Sequence, residues 1–248
     1  VEFYRREIAA HDEMSPELTE VNDRLSTAGS GIELPTTGLD AGLVATLVKA
    51  APVYRLTWWP QHNRANQAWI DAVLPLFAKH GEAIQKDIVA VYGVTWPTAP
   101  IRTDVSAYGG PFGAYTTLAA APHITISSVD PSYQGIASLE MLFHESSHVI
   151  DEKIRAALTK ELTVRGRLFK RRGFDHAIIF YTAGEITRRY LAGYEPYAVK
   201  NGIWENGWPG GLAVLEKDWK PYLEGRIDIA SAVKAIVADY GVPKTIPQ

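Results

Sequence analysis

Apolar residues along the chain fall into two kinds of pattern, one with helical spacing and one alternating. Helical spacing runs through LDAGLVATLVKAA (39–51), NRANQAWIDAVLPLFAKHG (63–81) and EAIQKDIVAVYG (82–93), with Gly81 and Gly93 placed as stops. The character changes between residues 100 and 128, where IRTDVSAY and HITISS alternate and are rich in β-branched residues, with the Gly-rich AYGGPFGAY between them. A long helix is predicted from Ser138 to about Leu158, within which Leu139, Leu142, Phe143, Val149, Ile150, Ile154 and Ala157 form one apolar stripe. After a basic connection, TVRGRLFKRRG, a second helix is predicted over about 176–192, with Asp175 as its N-cap and Gly193 as its stop. An aromatic loop and further helices at 211–224 and 228–240 follow. The first 40 residues are polar and carry scattered Ser, Thr, Gly and Pro, which reads as an arm. The expectation is therefore an α+β chain, mostly helical with a small mixed sheet ahead of the 138–158 helix, organised as an arm (1–40) and one domain (41–248).

Composition excludes more than it selects. Of the 248 residues, 46% are hydrophobic and 21% charged, which describes an ordinary folded chain able to bury a core. A net charge of −3 gives no electrostatic case for nucleic acid or an acidic membrane as the main partner. No apolar run suggests an integral membrane segment. The absence of cysteine rules out thiol catalysis and Cys-rich metal sites, so any metal must be held by His, Asp or Glu. A chain without cysteine that opens on Val fits an exported, extracytoplasmic protein whose leader has been removed. Oligomeric state is left open by these residues.

The chemistry lies in His144, Glu145, Ser146, Ser147 and His148, an HExxH sequence. Residues i and i+4 of a helix stand one above the other, so both imidazoles can reach one Zn2+ ion while Glu145 faces a metal-bound water. At about 100° per residue the three lie opposite the apolar stripe. A catalytic zinc keeps one position open and so needs a third protein ligand. Glu185 is the first candidate: it sits mid-helix in an apolar segment, where a buried carboxylate needs a partner, and Gly184 beside it would let two helices approach closely. The competing reading pairs Glu185 with Arg188 or Arg189. Asp151, one turn past His148, suits orientation of an imidazole, as does Glu140 one turn before His144. Tyr181, on nearly the same face as Glu185, is a candidate donor to an oxyanion, as are Tyr194 and Tyr197. His176 ranks lower, because on the helical wheel it lies opposite Glu185. His123 reads as structural.

This arrangement resembles the gluzincin group of zinc metallopeptidases, the thermolysin-like zincins in which HExxH on one helix is completed by a Glu on a later helix. His144, Glu145 and His148 match the motif directly, and Glu185 matches the later Glu by position and setting. The resemblance spans about residues 100–193 and implies a zincin-like fold, a peptide or protein substrate, and Glu145 as general base. It also implies that HITISS lies where zincins place the edge strand that pairs with an extended substrate. A metzincin would need Gly at 151 and His at 154, where this chain has Asp and Ile. The later helix lacks the acidic residue that thermolysin-like enzymes carry four positions after their ligand Glu. Two other readings remain: a zincin-fold binding protein for peptide or glycan without catalysis, and a zinc hydrolase of a non-peptide substrate.

Overall fold

The structure, a computed structural model, describes residues 2–9, 15–26, 38–118 and 121–244. It is mostly helical (64%) with a small mixed sheet, as the patterns predict. The chain forms two compact units, one of Val1–Asp71 and Ile101–Pro131, the other of Ala72–Pro100 and Ser132–Gln248. The described part of the presumed arm thus belongs to the first unit instead of standing apart. Among the described residues no helix is long and apolar enough to cross a membrane.

The first unit holds a π-helical turn (Tyr4–Ile8), α1 (Pro16–Ser26), α2 (Ala41–Thr57) and the start of α3 (Trp59–Tyr92). Asp40 caps α2, its carboxylate accepting from the Leu43 N–H at 2.9 Å. Its sheet comprises β1 (Arg102–Ser106), β2 (Ala114–Thr117) and β3 (His123–Ser127) in the order β1-β3-β2. The β1 pairing to β3 is parallel and the β2 pairing antiparallel. This corrects the role expected for HITISS. With strands on both sides, β3 has spent its backbone hydrogen bonds within the sheet and is no edge for a substrate to join. His123 is buried, with Nδ1 3.3 Å from the Ala121 carbonyl oxygen, in keeping with a structural role.

The second unit begins within α3, which runs straight through Gly81. Gly81 is helical because a turn of neighbours supports it. The helix stops instead where Gly93 takes a φ of +61°, a conformation that costs a side-chain-bearing residue more. There follow α4 (Ile136–Ser147), α5 (Glu152–Val164), β4 (Arg167–Phe169) and α6 (Phe174–Tyr190). Short helices α7 (Tyr197–Lys200), α8 (Ile203–Gly207) and α9 (Gly211–Val214) lead to a π-helical turn (Leu215–Trp219), then α10 (Lys220–Leu223), α11 (Ile229–Tyr240) and β5 (Gly241–Pro243). The basic connection is thus partly a strand, since β4 pairs antiparallel with β5. Leu139, Leu158, Ile178, Ile186, Trp219 and Ile236 are fully buried, each worth about 1.5–3 kcal/mol by removal from water. The indole N–H of Trp219 is satisfied by Thr182 Oγ1 at 2.9 Å.

The helix predicted from Ser138 to Leu158 is broken at His148–Asp151. The two serines of the motif supply the cause. Ser146 and Ser147 each donate to the carbonyl four residues back, on Leu142 and Phe143, at 2.7 Å, an arrangement that bends helices. The next amides then bond three residues back, His148 to Glu145, Val149 to Ser146 and Ile150 to Ser147, at 3.0–3.2 Å. His148 still has helical angles (φ −60°, ψ −25°), so it keeps its place one turn after His144 while the chain changes direction just beyond it.

Candidate metal centre

α4 and α6 pack against each other in antiparallel register. Gly184 faces Glu140, where a β-carbon would lie 3.2 Å from the carboxylate Oε1. Phe180 faces His144 with ring centroids 4.0 Å apart, and His176 faces His148 at 4.9 Å. The pairs thus step by four residues along each helix, 140 with 184, 144 with 180 and 148 with 176, which is the spacing that keeps one face in contact. Gly184 gives the close approach expected of it, toward Glu140 and also toward Pro196, whose β-carbon would be 2.7 Å from an added one.

This register brings three imidazoles together. His144, His148 and His176 each offer a ring nitrogen, these lie within 4.8 Å of one another, and the group can hold a metal ion. The ring centroids form a near-equilateral triangle of 5.2, 4.9 and 4.9 Å. Nε2 of His144 and Nε2 of His176 are 2.9 Å apart. A tetrahedral zinc with Zn–N of 2.0–2.1 Å sets neighbouring nitrogens about 3.3 Å apart, near the 2.9 Å between His144 and His176, while the widest separation in the group, within 4.8 Å, must close by up to about 1.5 Å. His144 is 1% exposed and its Nδ1 has no hydrogen-bond partner. The two Nε2 atoms facing each other are both acceptors in one tautomer of each neutral ring, the arrangement in which a cation between them is favoured.

Electrostatics point the same way. Burial, then the neighbouring His176 and His148, hold His144 well below the ordinary imidazole range. Burial, His176 and Arg155 push His148 down to about 3. Burial also lowers His176, against an opposing pull from Asp175. All three rings are therefore neutral near pH 7, the form that ligates metals. Glu145, next to His144 in the last turn of α4, is 4% exposed. Beside the cluster stands an aromatic wall: Phe180 lies against His144 and His176, and Trp208 meets His176 edge-on at 5.9 Å. Tyr197 stacks on Phe180 and Tyr133 on Tyr197.

The residue that the structure groups with His144 and His148 is His176, not the expected Glu185. Nine residues separate them on α6, roughly 13 Å along the axis and half a revolution round it, so a helix that turns His176 toward the pair turns Glu185 away. Glu185 takes the competing reading instead, accepting from Arg188 at 2.6 Å with Lys220 at 3.9 Å. Tyr181 goes with it to the far side: its ring meets Trp204, and its buried hydroxyl has no partner. Asp151 is 3% exposed and pairs with Arg155 at 2.8 Å, not with an imidazole. Glu140 likewise does not orient a histidine. It is 0% exposed and accepts from the Tyr194 hydroxyl at 2.6 Å and the Tyr197 N–H at 2.9 Å. Burial pushes its pKa up to about 7, with the two hydrogen bonds pulling back.

His176 enters α6 in its first turn, behind Gly173 at φ +71°, which displaces the expected N-cap Asp175 inward by two residues. The signal that could have found His176 was its place opposite Glu185 on the wheel, combined with the aromatic Phe180 one turn on. Compared with protein-family models, with curated proteins and with solved structures, the chain gives no match.

Proposed function

We propose that the protein is a zinc-dependent peptidase with His144, His148 and His176 as ligands and Glu145 as general base. The observation that carries this reading is the convergence of three neutral imidazoles, one buried and two half-buried, on one point, with buried Glu145 next to His144 in sequence. Three imidazoles suit zinc and leave a fourth position for water or substrate. Bound zinc supplies Lewis acidity and lowers the pKa of its water toward about 7. Glu145 accepts the proton of the attacking water at its carboxylate and passes it to the leaving amine. Phe180 packs against the His144 ring and Trp208 against the His176 ring, which limits how those rings turn. A likeness to zincins extends to HExxH, while the third histidine departs from the gluzincin pattern.

The test joins elemental analysis of the purified chain to cleavage of a quenched-peptide library with and without chelator. Stoichiometric zinc and chelator-sensitive cleavage are expected. The Glu145→Gln variant keeps its zinc and loses about 10²–10⁴-fold in rate, the usual worth of a general base. Wild-type cleavage by that variant refutes Glu145 as the general base, and zinc-loaded protein that cleaves no peptide argues against a peptidase.

A further inference from the structure

Helix α2 and the start of α3 present an apolar surface that the metal centre does not use. At their junction, Val53, Leu56, Trp58 and Trp59 are 52%, 82%, 49% and 43% exposed, and Tyr54 and Val48 are also exposed. The junction is ordered by its own side chains. Trp58 continues the helix with its N–H on the Tyr54 carbonyl at 3.0 Å, and the Tyr54 ring lies 6.4, 6.3 and 5.6 Å from those of Trp58, Trp59 and His62. The Tyr54 hydroxyl meets His62 Nδ1 at 3.0 Å. Large exposed apolar clusters of this kind mark surfaces that bind something.

Charge and residue type choose the partner. Between Asp40 and Asp71 the chain has no Asp or Glu, but it has Lys49, Arg55 and Arg64, so this stretch carries three positive charges in a chain whose net charge is −3. Trp and Tyr favour the boundary between hydrocarbon and water, where the ring body is buried and its polar edge stays wet. Long cationic side chains lie along apolar surface with their heads in the polar layer. A segment that exposes Trp, Tyr, Leu and Val, and whose own charged residues are all basic, matches an anionic bilayer surface in both apolar and electrostatic terms. Neither helix is long and apolar enough to cross a membrane, so the contact is with its surface. We infer that the α2–α3 junction is a peripheral membrane-binding site for anionic phospholipid, centred on Trp58 and Trp59. The inference is independent of the zinc reading.

The experiment is cosedimentation of the full chain with vesicles of phosphatidylcholine and phosphatidylserine in a two-to-one ratio, and with phosphatidylcholine alone. Wild type is expected to pellet with the anionic vesicles, far less with the neutral ones, and to be released by high salt. Trp58→Ser with Trp59→Ser, and separately Lys49→Glu with Arg55→Glu and Arg64→Glu, should each weaken partition about tenfold or more, with far-UV circular dichroism unchanged. Should the tryptophan variant fail to fold, the charge reversal alone decides. Failure to pellet with anionic vesicles, or variants that pellet like wild type, overturns the inference. So does sedimentation velocity showing a dimer that the tryptophan variant dissociates while no vesicle is bound, which would assign the surface to a second copy of the chain.

Discussion

Replacing His176 by Ala separates the two candidate third ligands. In the structure His176 supplies one of three nitrogens within 4.8 Å, its Nε2 2.9 Å from that of His144. Four-ligand structural zinc sites bind with about 10–16 kcal/mol, so one ligand carries about 3–4 kcal/mol and its loss weakens binding roughly 10²–10³-fold. Glu185 by contrast ends an ion pair with Arg188. Glu185→Ala should leave the metal affinity unchanged and cost at most about 1 kcal/mol of stability, because the Arg188 side chain is 40% exposed and well screened. The assay is competition for zinc against a chromophoric chelator across the wild type and both variants, with circular dichroism as a fold control. A folded His176→Ala protein with wild-type affinity, or loss of metal on Glu185→Ala, refutes the assignment of the ligand set.

Two further outcomes follow from the packing of α4 on α6. With a carboxyl raised from 4.5 to about 7 on folding, Glu140 costs stability as pH rises: the folded state holds the proton that the unfolded state releases, so its contribution declines from pH 4.5 and is fully lost above 7. Glu140→Gln should therefore gain on wild type by up to about 3 kcal/mol between pH 4.5 and pH 8 in urea titrations, and a pH-independent difference would contradict the raised value. Gly184→Ala places a methyl 2.7 Å from the Pro196 β-carbon. The clash should cost about 1–3 kcal/mol despite a helix-propensity gain near 1 kcal/mol, and a higher melting temperature would show that the loop after α6 yields freely.

The imidazole pair was legible from residues alone because the spacing of His144 and His148 is a local matter, settled by 3.6 residues per turn. The mostly helical content and the two alternating segments that form β1 and β3 are local in the same sense, whereas β2 begins inside the Gly-rich stretch read as a turn. The break at His148 had a local cue as well, in two adjacent serines, but one that competes with an unbroken apolar stripe on either side. The role of β3 was misplaced because alternation identifies a strand and says nothing of whether it is central or at an edge; that depends on which strands lie beside it.

What the amino-acid order determined by itself is the pair of imidazoles one turn apart, the Glu145 that follows the first of them, and the helix that carries His144 and Glu145. The identity of the third donor was decided by tertiary structure. Residues 176 and 185 share one helix half a revolution apart, so periodicity makes them mutually exclusive without choosing between them. The choice falls to the face of α6 that packs on α4, with Gly184 against Glu140 and Phe180 against His144. That packing is a contact between segments some forty residues apart, and the period of either helix holds no information about its partner.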